Sequence, residues 1–268
     1  NTDNDGDTAH ELVDNGSTIG FKHSSAVSEG VEAFFKAEFE FEADDKGSST
    51  GLSSVDEAFI GVKGEFGMVQ VGTDDTVYEW VDMIDTSEHN GVAGGEIADL
   101  KEGDNLQYVS PEIADGLIIG VTAPVDSDSA FGGALAAKYA ADNLEVVLAY
   151  ALGREDAGGD GEDTIGLAGT YSMDDITLIA QFETKTDTAD FFGLQGMYAM
   201  GQNVFALGYG MTSYEPSAAE DQSSIYVQAL HNVSDNMYVY LEYTTTADAG
   251  GIDGADEDTL ALGATYAF

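Results

Sequence analysis

The feature that most constrains this chain is a period-two alternation of apolar and polar residues. In the stretch "FKAEFEFEAD", residues 35–44, apolar residues at odd positions alternate with charged residues at even positions. Side chains of a β-strand point to opposite faces with this same period, so the stretch has one apolar face and one charged face. Residues 144–153 and 237–245 repeat the pattern. Helical periodicity is nearly absent elsewhere, which predicts an all-β protein.

Fifteen strands are predicted, and the lengths of the links between them alternate. Short links such as "DN" and "MDD" take turns with longer acidic links such as "REDAGGDGE". One end of the sheet therefore has tight turns and the other has long loops, which is typical of transmembrane antiparallel β-barrels of bacterial outer membranes. The predicted strands cover residues 17–23, 31–42, 55–63, 66–72, 105–110, 117–125, 132–141, 144–153, 163–172, 176–184, 190–199, 204–213, 224–232, 237–245 and 258–268.

The number of predicted strands bears on whether the barrel can close. A bacterial barrel normally has an even number of strands, and only a closed barrel satisfies every backbone group in lipid. Fifteen is odd, and the chain opens with "NTDNDGD", which has the composition of a loop rather than a strand. We therefore expect residues 1–268 to form a single barrel domain of sixteen strands whose first strand is missing from this sequence.

The charge of the chain restricts its partners. The 268 residues carry 51 Asp plus Glu against 8 Lys plus Arg, a formal net charge of −43. A field of this sign repels nucleic acid, so we expect no nucleic-acid partner. Because the chain is also 10% aromatic, the acidity indicates a folded protein facing concentrated salt, where charges are screened within about 3 Å at 1 M. We expect a halophilic source.

Membrane helices are not expected, because the longest apolar run, "LIIGVTAPV" at 117–125, is far shorter than the roughly 18 residues that a spanning helix needs. Strands of about 9 to 11 residues, by contrast, match a tilted crossing of the bilayer. Alternation also occurs in soluble β-sandwiches, but nothing there requires hairpins to alternate between short and long. The membrane barrel is therefore the favoured interpretation.

These segments resemble the general trimeric porins of Gram-negative outer membranes. "DEAFIGVKGEFGMVQVG" is similar to the fourth and fifth strands of that family, and "DNLQYVSPEIADGLIIGV" is similar to the sixth and seventh. The final "TLALGATYAF" resembles the C-terminal signal read by the outer-membrane assembly machinery, with Tyr266 and Phe268 on its apolar face. The resemblance implies a homotrimer in the outer membrane, in contact with lipid and lipopolysaccharide, that passes small hydrophilic solutes and ions by passive diffusion.

The resemblance also implies a long third loop folded into the lumen, and residues 73–104 lie in that position. The loop contains "DDTVYEWVDMIDT", the only helical pattern in the chain, with its apolar residues on one face. A short helix here would either pack on the barrel wall and show carboxylates to the pore, or cover the rim with carboxylates in bulk water. We favour the pore, and expect its constriction loop to present Asp74, Asp75, Glu79, Asp82, Asp85 and Glu88.

The wall opposite this loop departs from the family pattern. Family members often carry an arginine cluster there, whereas the matching positions in this chain hold Thr18, Thr73 and Gln107. An eyelet dominated by carboxylates favours cations. The expected pore-wall residues are Lys22, Lys36, Glu38, Glu40 and Gln107.

Two other functional classes stay open. A substrate-specific channel is the nearer one, with Phe34, Tyr238 and Tyr240 as inward aromatic residues, although three aromatics do not make a ladder. A barrel enzyme is the more distant one. The chain has four histidines but no serine in a strained glycine-flanked elbow, so no catalytic residues are assigned and no enzyme activity is expected.

A calcium-binding adhesin is a third alternative. "NTDNDGD" is spaced in part like a calcium loop, but Leu12 stands where such a loop needs a glutamate. We expect no cofactor and no metal site. Loosely bound divalent cations on the acidic outer loops stay an open alternative to loops that are simply solvated.

Overall fold

The computed structural model describes residues 2–4, 7–44, 52–95, 97–125, 132–154, 160–215 and 219–268. These described residues form seventeen strands and two short 3₁₀ helices, Val77–Val81 and Ala249–Gly251. The strands are β1 Thr2–Asn4, β2 Asp7–Ala9, β3 Thr18–Ser28, β4 Val31–Phe41, β5 Leu52–Gly64, β6 Gly67–Thr73, β7 Asn105–Val109, β8 Leu117–Pro124, β9 Ala134–Ala141, β10 Leu144–Ala151, β11 Thr164–Met173, β12 Ile176–Lys185, β13 Ala189–Met200, β14 Asn203–Tyr214, β15 Gln222–Ser234, β16 Met237–Ala247 and β17 Glu257–Tyr266.

From β3 to β17, each strand pairs antiparallel with the next strand in the chain. The fifteen predicted strands are thus confirmed. Asp142 and Asp174 lie in two-residue turns and have a φ of 51°, the left-handed conformation that tight hairpins require. These turns share one end of the sheet, and the long connections lie at the other.

The two faces of the sheet have opposite environments. Leu148 and Leu207 are 54% and 61% exposed, whereas Gln181 and Glu242, on the other face, are each 1% exposed. A soluble sandwich would bury its leucines and expose its glutamates. Apolar faces turned outward and polar faces turned inward are the arrangement of a transmembrane barrel, which confirms the predicted fold class.

The ends of the chain form the seam of the barrel. Among the described residues, β3 and β17 are not paired with each other, and a cleft of about 1020 Å³ lined by parts of 9–20 and 259–268 separates them. The first residues, expected as a loop, instead contain the hairpin β1–β2, and β1 pairs with the start of β17 because that edge has free backbone groups. The sixteenth strand stays a prediction.

No helix in the described part of the chain has the length and apolar character needed to cross a membrane.

Candidate pore constriction

One long segment, residues 74–104, lies inside the barrel and is called here the inner loop. It follows β6 and precedes β7. Inward-facing side chains of six strands hydrogen-bond to it, which places it in the lumen rather than over the rim. The contacts, wall residue first, are Gln70 with Asp74, Thr122 with Val77, Gln181 with Ile84, Gln195 with Thr86, Ser224 with Ala93 and Glu242 with Glu88.

The inner loop begins with the 3₁₀ helix Val77–Val81. Thr76 caps it, since its hydroxyl accepts from the Tyr78 amide at 3.2 Å and the Glu79 carboxylate accepts from the Thr76 amide at 3.4 Å. Val77, Tyr78 and Val81 are fully buried against the alanine-rich inner faces of β9, β10 and β11. The helix is shorter than the sequence pattern indicates, and Ile84 is buried beyond its end.

Glycines in the wall make room for the apolar side chains of the inner loop. A Cβ added at Gly166 would lie 2.8 Å from Val81, one at Gly193 would lie 2.4 Å from Ile84, and one at Gly120 would lie 2.6 Å from both Val77 and Trp80. Real Cβ atoms do not approach other atoms so closely, because interiors are already packed to crystal-like density. The inward glycines of several strands therefore form a groove shaped to the loop.

Glu242 of β16 holds the far end of the inner loop. Its carboxylate accepts from the backbone amides of Glu88, His89 and Asn90 at 2.7, 3.0 and 3.2 Å. Tyr226 and Gln228 donate to it from β15 at 2.9 and 2.8 Å. A buried carboxylate is stable when its acceptor sites are filled in this way, so Glu242 fastens three consecutive residues of the loop to the wall.

A second anchor lies on β12. Glu183, which is fully buried, accepts from the Tyr78 hydroxyl at 2.7 Å and from the Ile97 amide at 3.3 Å, and so ties the two halves of the loop to one point. Lys185, two residues later, donates to Asp99 at 2.5 Å and to Asp160 at 2.8 Å. The lysine therefore links the inner loop to the connection between β10 and β11.

The opposite side of the lumen is lined by β3, β4 and β5. Lys36 of β4 contacts Glu57 of β5 at 2.6 Å and Glu38 of its own strand at 3.4 Å. These three side chains lie on the side of the sheet that faces the inner loop, and they are 23% to 28% exposed. Glu38 also lies over Gly20 of β3, where an added Cβ would come within 2.9 Å of its carboxylate.

The start and end of the inner loop face this wall with carboxylates. Oxygen atoms of Asp75, Glu79 and Glu102 lie within 4.8 Å of one another. Burial raises the pKa of Asp75, the negative charge of Glu57 raises it further, and the positive charge of Lys36 lowers it. Burial, together with the charges of Glu57 and Asp75, raises the pKa of Asp74 to about 6, against the opposing hydrogen bond from Gln70.

The comparison with known proteins matches this geometry. Residues 1–251 match the model of the Gram-negative porin family. The chain belongs to that family. Two Halomonas proteins are each 28% identical to this porin over 98% of its chain and 85% of theirs: a "Monosaccharide porin" of Halomonas sp and the "Major outer membrane protein" of Halomonas elongata. This places the porin in the outer membrane of a Gram-negative bacterium, as a passive channel and not an enzyme.

Two solved structures share its fold at low sequence identity. The anion-selective porin from Comamonas acidovorans has a TM-score of 0.81 at 16% identity, covering 94% of this porin and 90% of its own chain. The trimer form of OmpT from Vibrio cholerae has a TM-score of 0.75 at 18% identity, covering 99% and 95%. At these identities the likeness concerns the fold alone.

The structure separates the loop carboxylates that the sequence groups together. Asp75 and Glu79 belong to the carboxylate group that faces the open arc, whereas Asp74 accepts from Gln70 of the wall and Asp82 accepts from Gln181 of the wall at 3.2 Å. Burial raises the pKa of Asp82 to about 6. Asp85 is exposed and bonds to Ser87 of its own loop at 2.9 Å.

Further along the porin's inner loop, the side chain of Glu88 accepts from Tyr238 of the wall at 2.6 Å. The wall residue Gln107 is 8% exposed and accepts from Thr122, which in turn accepts from the Val77 amide. Both therefore position the loop instead of lining open water. Tyr240 is 6% exposed and its hydroxyl accepts from Asn15 at 3.4 Å, so the inward tyrosines do not form an open aromatic ladder.

The remaining predicted residues lie on the open arc or at the seam. Lys22 pairs across the strands with Lys36 and is exposed, and Glu40 accepts from Ser54. Tyr266 and Phe268 are 66% and 96% exposed beside the cleft.

Sequence reasoning missed several residues of the porin's constriction. Glu57 and Glu102 complete the facing carboxylates, and Glu183 and Glu242 anchor the loop. The available signal was their position, because each of the two anchors is a lone carboxylate at an inward position of a strand whose other inward residues are neutral or basic. That pattern indicates a buried acceptor more than a solvated charge.

Proposed function

We propose that this porin is a diffusion channel that prefers cations. The observation that carries the proposal is that carboxylates lie on both sides of the open lumen, Glu38, Glu40 and Glu57 on the wall and Asp75, Glu79 and Glu102 on the inner loop. Lys22, Lys36 and Lys63 are the basic residues of this arc in the described chain, and Lys63 stands at its turn end. Clusters of carboxylates at a constriction favour cations over anions.

The strength of this preference depends on salt. At about 0.15 M the Debye length is near 8 Å, so carboxylates act across much of a narrow lumen, whereas at 1 M it is near 3 Å. At 1 M, therefore, only charged groups close to the path of an ion can discriminate between cations and anions. The proposed preference is therefore strong in dilute salt and small but present in brine, where it rests on the facing carboxylates of the constriction.

Reversal potentials across a planar bilayer test the proposal. Under a tenfold gradient of KCl, the sign of the zero-current potential reports whether cations or anions cross more readily. We expect cation preference that declines as the mean salt concentration rises. Anion preference in dilute salt would contradict the proposal. The double variant Glu57→Gln, Asp75→Asn serves as the internal comparison, because it removes one charge from each side of the lumen.

Small sugars are a second proposed cargo. The likeness to the Halomonas monosaccharide porin extends over 98% of this chain, which favours passage of monosaccharides beside ions. Neutral sugars are not excluded by the charged lining, since they respond to width and hydrogen bonding rather than to the field. Swelling of proteoliposomes in isotonic sugars measures this. We expect fast swelling with hexoses and slower swelling with trisaccharides, and equal rates for both would count against a narrow pore.

We also propose a homotrimer, as in the OmpT trimer form. The outward face of β3 to β5 carries His23, which pairs with Phe35 across the strands, and the small residues Ser25 and Ala33 beside it; a shallow apolar groove of about 500 Å³ runs across this face to β6 and β7. A histidine and small side chains suit a protein neighbour better than lipid.

Ala33→Trp in this groove should weaken the trimer on an unheated gel. Ala180→Trp, exposed on the lipid-facing side of β12, is the matched control and should not.

Assembly, lipopolysaccharide contact and adaptation to brine complete the proposal. Tyr266 and Phe268, exposed at the seam, are the proposed contacts of the assembly machinery. The acidic outer connections are the proposed contacts of concentrated salt and, through loosely bound divalent cations, of anionic lipopolysaccharide; parts of them, residues 45–51 and 155–159, lie outside the described residues. No cofactor is proposed.

A further inference from the structure

Lys36 occupies an unusual place in the constriction. Its ammonium group lies 2.6 Å from the Glu57 carboxylate and 3.4 Å from that of Glu38, and its charge also acts on Asp75 of the inner loop. Lys22, its cross-strand neighbour, is exposed and makes no ion pair with the described residues. Lys36 is therefore the cation that is already bound between the acidic wall and the acidic loop.

The position of a bound cation matters for conduction. An ion crosses a pore when its binding is favourable enough for entry and weak enough for exit. Divalent cations bind to several carboxylate oxygens at once, and Ca²⁺ takes six to eight oxygen ligands. Asp75, Glu79 and Glu102 already approach one another within 4.8 Å, and Glu57 and Glu38 face them. Without a fixed positive charge, such a lining would hold a divalent cation too long.

We propose that Lys36 is a built-in counter-ion that determines valence selectivity: it occupies Glu38 and Glu57, lowers the negative potential at the facing loop carboxylates, and so lets monovalent cations pass without retention of divalent cations. The inference rests on the proposed cation channel. The two ion pairs of Lys36 keep this role in concentrated salt. Their distances of 2.6 and 3.4 Å are close to the screening length of about 3 Å at 1 M, so the attraction between the charges continues to act there.

Single-channel recording with Ca²⁺ or Mg²⁺ added to 1 M KCl tests the role of Lys36. We expect the wild-type current to be nearly insensitive to millimolar divalent cations. Lys36→Met should be blocked, with a half-blocking Ca²⁺ concentration lower by about tenfold or more, because the oxygen ligands lose their fixed partner. Lys36→Arg keeps the positive charge and should restore the wild-type insensitivity.

Lys63→Met is the matched control. Lys63 also lies on this arc and contacts a carboxylate, Glu32, at 2.9 Å, but it stands beside the turn at the end of β5, away from the inner loop. This variant should resemble the wild type. Equal divalent block in wild type, Lys36→Met and Lys63→Met would overturn the inference, as would block of Lys36→Arg as strong as that of Lys36→Met.

The proposed function is judged separately, from the sign of the wild-type reversal potential in KCl alone. Anion preference there overturns the cation channel and, with it, the basis of this inference. Cation preference without divalent block of Lys36→Met overturns only the role of Lys36. Unheated gel mobility of each variant shows whether its barrel has folded.

Discussion

The two arcs of the barrel wall use the same chemical group in opposite ways. On the covered arc, Glu242 is 1% exposed and receives five hydrogen bonds, three of them from the inner loop. On the open arc, the side chains of Glu38 and Glu57 are 24% and 23% exposed and share one lysine. A carboxylate surrounded by donors builds the scaffold, and a carboxylate that meets water supplies the field that ions cross.

The largest effect is expected from Glu242→Gln. The amide replaces one acceptor oxygen with an NH₂ group that faces other donors, so the loop loses contacts and buried donors are left unmatched. We expect the free energy of unfolding to fall by about 2–4 kcal/mol and the single-channel conductance to rise as the loop loosens. Glu57→Gln on the open arc is the control. Equal loss of stability in both variants would erase the distinction between the two arcs.

A smaller loss is expected from filling the groove under the inner loop. Gly193→Val would place a Cβ within 2.4 Å of Ile84, so the loop must move or the strand must bend. We expect a loss of about 1–3 kcal/mol in unfolding free energy and an altered conductance. Gly196, on the outward face of the same strand, has only an ordinary contact of 3.6 Å with Leu178. Gly196→Val should change neither quantity, and a similar effect at both positions would argue against the groove.

Removing charge from the open arc should change selectivity and leave the scaffold intact. Glu57→Gln combined with Asp75→Asn is expected to lower the ratio of cation to anion permeability by about twofold in dilute salt, and less at 1 M, because screening already weakens distant charges there. Reversal potentials at both salt concentrations measure this. A large drop in thermal stability, rather than in selectivity, would place these residues with the scaffold.

The smallest effect is expected from pH. The pKa of Asp74 and of Asp82 is raised to about 6 from an ordinary value of 3.8. The folded state therefore binds more protons than the unfolded state between about pH 4 and 6, so these groups lower the free energy of unfolding as pH rises through that window. Between pH 7.5 and 5, stability should increase slightly while cation preference declines.

The control for the pH effect is Asp74→Asn with Asp82→Asn. This double variant should reduce both changes, and an unaltered pH profile would show that other groups are responsible.

Local pattern and long-range contact explain what the sequence could predict. The strands and the alternation of turns with long loops follow from period-two patterning and turn residues, which act over a few neighbours. The apolar pattern predicts a longer helix than Val77–Val81 and does not predict that Tyr78 is buried, because its partner Glu183 lies 105 residues away in the chain. No local pattern shows that contact.

In the constriction, too, the residues that the sequence predicts are those close together in the chain. Asp74, Asp75 and Glu79 are close in sequence, so the helical spacing predicts them together, whereas Glu57 and Glu102 join them only through the fold. Asp82 and Glu88 share the spacing of the other loop carboxylates but are drawn to the wall by Gln181 and Tyr238. Which side of a loop a carboxylate faces depends on donors in distant strands.

The glycine groove has a consequence for how such channels can be altered. The path of the inner loop is encoded twice, once in its own apolar residues and once in the glycines Gly120, Gly166 and Gly193, which lie 40 to 109 positions further along the chain than the Trp80, Val81 and Ile84 side chains that they accommodate. A loop transplanted from another porin brings its apolar residues but not the wall glycines that accommodate them. We expect grafts to keep a defined path only when the matching strand positions are exchanged with them.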